Sequence, residues 1–209
     1  MIRVDVKSKR FGAEAVLSGI GFTLEQGETL AILGPSGIGK STLLRLIAGI
    51  DRDYEGTIER PDNMAMVFQE PVLLPWRCAL DNVTLVHPGI GESAALAALE
   101  RVGIAEKAKQ YPGQLSLGQQ RRLALARAFA GRPDLLVMDE PFVSLDAVTG
   151  EEMVALTENL IGETRPATIL VTHSEDEARR LAGRIIRLDG QPATISEDRT
   201  VTDKGKGAL

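Results

Sequence analysis

A single cysteine and only two histidines in 209 residues remove several kinds of chemistry at the outset. Cys78 has no partner for an internal disulfide, and nothing resembles a zinc cluster, so a reducing compartment is the default. No apolar run approaches the roughly eighteen residues of a membrane span. The opening Met1-Ile2-Arg3-Val4-Asp5 lacks a signal-peptide core, so a soluble, cytoplasmic chain is expected. Positive charge is not in excess either: the net charge of −5 argues against broad nucleic-acid binding. There is no internal repeat and no low-complexity tract. What remains, 44% hydrophobic and 25% charged, is an ordinary globular balance whose size suits one α/β domain with a small subdomain.

Against that background Gly34-Pro35-Ser36-Gly37-Ile38-Gly39-Lys40-Ser41 stands out as a complete G-x-x-x-x-G-K-[ST] loop. The preceding Thr29-Leu30-Ala31-Ile32-Leu33 reads as a buried strand, and Ser41 to Ala48, closed by Gly49, reads as a helix. That context is the one in which such a loop binds phosphate. The glycines let successive N–H groups face the phosphates, and the helix N-terminus, starting around Ser41 and Thr42, adds partial positive charge. Lys40 then reaches the β- and γ-phosphates of a nucleoside triphosphate, and Ser41 offers its hydroxyl to Mg²⁺.

The rest of the chain supplies strands and helices in alternation. Ile2 to Val6 and Phe22 to Leu24 read as short strands broken by Gly12, Gly19 and Gly21, and Gly56 to Glu59 and Met64 to Phe68 as two more. Prolines and then alanine- and leucine-rich segments follow, including a helix over Ser93 to Val102 with Ser93 as its cap, and mark an inserted helical subdomain over about 71–130. A helix over Leu117 to Ala130 leads to the apolar strand Leu135 to Met138. Beyond it lie a helix around Glu151 to Ile161, the strand Ala167 to Val171, a helix over Glu175 to Leu181 and the strand Arg184 to Leu188. The expectation is a mainly parallel sheet within one domain over 1–196, preceded by a small antiparallel β subdomain, with 197–209 as a loose tail.

At the tip of Leu135 to Met138 stand Asp139 and Glu140. An apolar strand that delivers a carboxylate is the usual partner of a phosphate loop, because Mg²⁺ prefers hard oxygen ligands; Asp139 takes that role. Glu140, one residue on, points elsewhere and is the candidate general base for an attacking water.

Between loop and acidic strand lies Leu115-Ser116-Leu117-Gly118-Gln119-Gln120, and here the chain resembles the nucleotide-binding subunit of an ATP-binding-cassette transporter. The resemblance covers Phe11 to about Leu188 and implies a P-loop NTPase core. It makes Phe11 the aromatic that stacks on adenine, Gln69 the glutamine-loop residue near Mg²⁺ and water, Ser116 with Gly118 and Gln119 the signature, Asp146 a dimer contact and His173 the switch that senses the γ-phosphate. It further implies ATP and Mg²⁺ as cofactors, a head-to-tail dimer of two cassettes, more often identical than not, and hydrolysis shared between them. Leu117 departs from the family's usual glycine; a side chain there need not touch phosphate if it points back into its own subunit, and otherwise it bears on close approach and on the hydrolysis rate.

The segment Phe68-Gln69-Glu70-Pro71-Val72-Leu73-Leu74-Pro75-Trp76-Arg77 is similar to importer ATPases for nitrate, aliphatic sulfonates and taurine. In that group the region receives a membrane subunit, so Leu73 to Arg77 is the expected permease contact and the chain is placed on the inner face of the membrane. The chain ends soon after its last strand, without the long regulatory domain of sugar-importer relatives. A soluble cassette ATPase outside transport, or a nucleotide-dependent interaction module, remains the alternative.

Overall fold

Three short apolar runs, Leu30–Leu33, Leu135–Met138 and Ala167–Val171, lack the polar alternation of a half-exposed strand, so both their faces must be covered. A computed structural model describing residues 1–202 places them accordingly. The chain divides into two units: Met1–Met64 with Asp134–Glu140 and the chain from Arg165 onward, and Ala65–Pro133 with Pro141–Thr164.

In the first unit β3 (Thr29–Leu33) lies between β7 (Ala167–Val171) and β8 (Arg184–Asp189), parallel to both, and β6 (Leu135–Asp139) extends the sheet in parallel beyond β7. Every residue of β3 and β7 is buried. Helix α1 (Lys40–Ile47) buries Leu43, Leu44, Leu46 and Ile47, and α6 (Glu175–Leu181) packs Ala178 against Ala31 and Leu33 of β3. Truncating a fully buried residue such as Leu43 to Ala is expected to cost about 2–5 kcal/mol.

A smaller antiparallel sheet, in the order β2-β1-β4, belongs to the same unit. Its hairpin, β1 (Ile2–Phe11) and β2 (Glu14–Leu24), is far longer than the expected fragments. Gly12 makes the turn, whereas Gly19 and Gly21 lie inside β2 without breaking it. β4 (Glu55–Glu59) pairs with β1 on its other side. Between β1 and β4 the register moves from Val6↔Gly56 to Ser8↔Glu55, so Lys7 is an extra residue on β1. Such a bulge reverses which side chains face inward. Ile2, Val4 and Val6 are buried before it, and Lys9 is buried after it.

The tail expected over 197–209 begins too early. β9 (Thr194–Thr200) pairs antiparallel with β8, and Arg184 reaches Asp198 at 2.7 and 2.6 Å in a bidentate pair. Its alternating half-buried pattern was hidden by polar composition; the remainder of the expected tail, from 203, lies outside the described residues.

β5 (Met64–Val67) starts on the last residue of the first unit and carries the chain into the second. That unit is wider than the expected 71–130. It packs α2 (Ala79–Thr84) and α3 (Glu92–Arg101) against α4 (Leu117–Ala130), and α4 against α5 (Ala147–Thr164), a helix longer than expected at both ends. α3 starts one residue before Ser93, with Gly91 at its cap. The proline-rich segment is pinned by two side chains. Fully buried Asn82 accepts from Leu74 N at 2.8 Å and donates to Leu74, Arg77 and Cys78 carbonyls, while Arg127 donates to the carbonyls of Pro71 and Val72.

Candidate functional site

The phosphate loop joins β3 to α1, and its geometry demands glycine at two places. A Cβ on Gly34 would lie 2.9 Å from the Leu188 carbonyl, and one on Gly39, at φ 108°, would lie 2.9 Å from the Leu17 side chain. Gly39 caps α1, its carbonyl accepting from Leu43 N at 2.9 Å. Lys40 is buried at 4% exposure and donates to the Gly34 and Pro35 carbonyls at 2.8 and 3.0 Å, which suspends its ammonium above the loop. Ser36, Gly37 and Ile38 face Glu14, Ala15 and Val16 of β2 across a cleft of about 230 Å³. Phe11, whose register partner on β2 is Glu14, lies at the end of this hairpin with a 56% exposed ring.

The acidic strand end meets the loop as its composition predicts. Ser41 Oγ donates to Asp139 Oδ1 at 3.3 Å, and Glu140 Oε1 lies 3.6 Å from Lys40 Nζ. Burial pushes the Asp139 carboxyl above the usual carboxylate range; the Ser41 hydrogen bond opposes this, while the Glu140 charge adds to it. Glu140 adopts φ 45°, a left-handed backbone that a glutamate rarely takes, and its N–H donates to the Val171 carbonyl at 2.9 Å. That turn aims its carboxylate away from the strand and towards His173, whose Nδ1 lies 3.6 Å from Glu140 Oε2. Two sets of contacts of 3.6 Å or less, Ser41 with Asp139 and Lys40 and His173 with Glu140, thus lie side by side in the first unit, because Lys40 and Ser41, and Asp139 and Glu140, are neighbours in the chain.

One supporting residue escaped sequence reasoning. Thr172 Oγ1 donates to the Glu177 carboxylate and accepts from Ser174 N at 3.0 Å, and Ser174 Oγ accepts from Glu177 N at 3.3 Å. The S-x-x-E pattern of Ser174 and Glu177 was the available signal. These bonds hold the backbone on either side of His173 while its ring stays 58% exposed.

The remaining residues singled out from sequence belong to the second unit. Gln69 is exposed in a bend after β5. Ser116 caps α4: its Oγ accepts from Gln119 N at 3.3 Å while its own N–H donates to Gln119 Oε1 at 3.0 Å, a reciprocal capping box. A Cβ on Gly118 would lie 3.2 Å from the Thr149 methyl, a tight approach to the first turn of α5. Asp146 Oδ1 accepts from Thr149 N at 3.0 Å, and backbone N–H donation holds its carboxyl below the usual range. Leu117 is 44% exposed, so its side chain is not folded into its own subunit. Arg121, one helical turn along, is 6% exposed and donates to the carbonyls of Pro141 and Val143.

A family model described as ABC transporter matches residues 17–143. This chain belongs to that family. Aliphatic sulfonates import ATP-binding protein SsuB 2 of Rhizobium johnstonii is 47% identical over 185 residues, 87% of this chain and 74% of that protein. SsuB 3 of Nocardia farcinica is 44% identical over 215 residues, 100% of this chain and 87% of that one. Among solved structures, the dimeric structure of the bacterial ABC transporter cassette MJ0796 superposes with a TM-score of 0.83 at 30% identity, covering 97% of this chain and all of that one. The same cassette bound to ADP and Pi in a post-hydrolysis state gives 0.80 at 29% identity. The cassette fold and the nucleotide-binding role expected from the motifs are thereby confirmed, and the ABC chain falls in the importer group that its Phe68 to Arg77 segment resembled.

Proposed function

We propose that this ABC cassette binds ATP with Mg²⁺, hydrolyses it between two copies of the chain, and energises import of a small solute through membrane subunits. The observation that carries the reading is the pair of neighbouring contacts, Ser41 with Asp139 and Glu140 with both Lys40 and His173. Ser41 Oγ and Asp139 Oδ1, 3.3 Å apart, form an all-oxygen pair suited to a hard divalent cation. Neutralisation of phosphate charge is what Mg²⁺ supplies there when bound.

The protein groups divide the remaining work. Loop N–H groups and the Lys40 ammonium hold the β- and γ-phosphates. Glu140 accepts the proton of the attacking water, and His173 orients that carboxylate and meets the γ-phosphate. Phe11 stacks on the adenine. Gln69 contributes its amide at the metal and water. Ser116, Gly118 and Gln119 present the positive end of α4 to the triphosphate held by the second copy, and Asp146 contacts that copy. Closure of the pair upon ATP moves the membrane subunits, and hydrolysis reopens it.

The contact for those subunits is Leu73 to Arg77. Asn82 and Arg127 fix the backbone there while Trp76 remains 68% exposed, a rigidly presented anchor of the kind interfaces use. No helix among the described residues is long and apolar enough to cross a membrane. Like the import ATP-binding proteins it resembles, the chain acts from the cytoplasmic side, bound to its permease. The SsuB relatives, at 44–47% identity, favour an aliphatic sulfonate as the solute. The test is twofold. Purified chain should release phosphate from ATP with Mg²⁺ and not with EDTA, and deleting its coding sequence should abolish growth on an aliphatic sulfonate as sole sulfur source. Undiminished growth would remove the solute assignment, and phosphate release insensitive to EDTA would remove the metal.

A further inference from the structure

Among the described residues Lys9 is the most buried of the charged side chains, at 2% exposure, although it lies two positions from the exposed Phe11. A buried ammonium costs several kcal/mol unless it is fully partnered. Here it donates to the Asp53 carbonyl at 2.6 Å, pairs with Asp51 Oδ2 at 2.9 Å and Asp53 Oδ2 at 3.4 Å, and lies over the Phe11 ring, 4.7 Å from its centroid. The arrangement depends on the bulge at Lys7, which turns Lys9 to the inner face. Phe11, two residues on, returns to the same face of the strand.

We infer that Lys9 is a positioning residue for nucleotide binding: it braces one face of the Phe11 ring so that the other stays presented to an adenine base. The inference rests on Phe11 being the base platform. An isolated aromatic at a hairpin end is free to rotate, and stacking must then oppose the entropy of ordering it. A cation against one face removes much of that freedom. It also draws electron density from the ring, so that the opposite face suits an electron-rich purine. The anchors carry further meaning. Asp51 and Asp53 follow α1, the helix whose first residues are Lys40 and Ser41, so the base platform and the phosphate ligands are tethered to the two ends of one short helix. Glu14, opposite Phe11, and its neighbours Ala15 and Val16 line the cleft that Ser36, Gly37 and Ile38 close from the loop side, which is where a nucleoside would span that distance.

The test separates base from phosphate binding in the full chain, using ATP and inorganic tripolyphosphate, each with Mg²⁺, in equilibrium titrations. Lys9→Met is expected to weaken ATP binding by about three- to ten-fold, the loss of a partly desolvated cation–π contact and of ring order, and to leave tripolyphosphate binding unchanged. Lys9→Arg, which retains a cation beneath the ring, should recover most of the loss. Asp51→Asn, made at a side chain 24% exposed, guards against misfolding of the buried variant and should show a smaller loss confined to ATP. Phe11→Ala tests the reading beneath. If it leaves ATP affinity unchanged, Phe11 is not the platform and both ideas fall together. If Phe11→Ala weakens ATP while Lys9→Met and Asp51→Asn bind it like the parent, the platform stands and the brace is overturned. Equal losses for ATP and tripolyphosphate in the Lys9 and Asp51 variants would also overturn it, since that is the mark of a merely structural lysine.

Discussion

Glu140 sits in a backbone conformation that glutamate adopts at a cost of order 1–3 kcal/mol, and such strain persists where function requires the side chain to be aimed. Its aim, towards both Lys40 and His173, is the basis of the first prediction. Glu140→Gln retains the shape and removes the proton acceptor, so ATP should still bind while hydrolysis falls by about 10²–10⁴-fold in a phosphate-release assay. Lys40→Ala deletes the ammonium held over the phosphate loop, so nucleotide affinity itself should drop in a titration, before any question of turnover. The meeting of Lys40 and Glu140 was legible because phosphate chemistry dictates residue type at fixed spacing, and the intervals Gly34 to Ser41 and Asp139 to Glu140 are local. Lys9 was not legible. Its burial follows from one extra residue in β1 relative to β4, some fifty positions away, and nothing in the string around Lys9 announces a change of face.

At the level of the element, α4 is capped by Ser116, the side chain proposed to meet the triphosphate held by a second copy. Ser116→Ala would remove a cap worth roughly 1 kcal/mol and, with it, the hydroxyl offered to the triphosphate, so hydrolysis should suffer more than thermal stability does. Leu117→Gly sets two effects against each other. It loosens the first helical turn by about 1 kcal/mol and removes an exposed side chain from the surface proposed to face a second copy. The expected result is an ATPase rate within about ten-fold of the parent, roughly 1.4 kcal/mol in the barrier. β9 offers a prediction of another kind. Asp198, paired with Arg184 of β8, has its carboxyl below the usual range because of that bidentate hydrogen bond. A depressed carboxylate stabilises the fold above its unfolded value and loses that contribution as pH falls through the folded one. Asp198→Ala should therefore cost about 0.2–1 kcal/mol at neutral pH, and the difference in thermal midpoints should close as pH is lowered below 3.8. The strand escaped sequence reading for the same reason it needs the pair. Thr194 to Thr200 is polar at nearly every position, and its pairing partner, not its hydrophobicity, makes it a strand. The buried runs of β3, β6 and β7 were readable because burial on both faces imposes a composition that nothing else explains.

For the whole molecule, the proposed sharing of the site between two copies has a measurable arithmetic. Mixing Lys40→Ala with Ser116→Arg chains produces dimers in which one composite site is doubly damaged and the other intact. An equal mixture should recover about a quarter of parental activity if copies pair at random in a two-fold dimer, and no recovery in confirmed mixed dimers would contradict the two-copy site. The division of the chain carries a different consequence, one for its synthesis. It crosses between the two units after Met64, Pro133, Glu140 and Thr164. Neither unit is thus a contiguous stretch that a ribosome could release to fold in advance. β3 emerges early with the phosphate loop, yet both of its neighbours, β7 and β8, are translated after Arg165. For most of translation the strand that leads into the nucleotide site has two edges of unpaired N–H and C=O groups and largely apolar side chains, the condition under which nascent chains aggregate or recruit chaperones. Genetic truncation from the C-terminal side should accordingly cost solubility before it costs any residue of the phosphate loop, and a stop codon before Ala167 should yield insoluble protein rather than a smaller cassette.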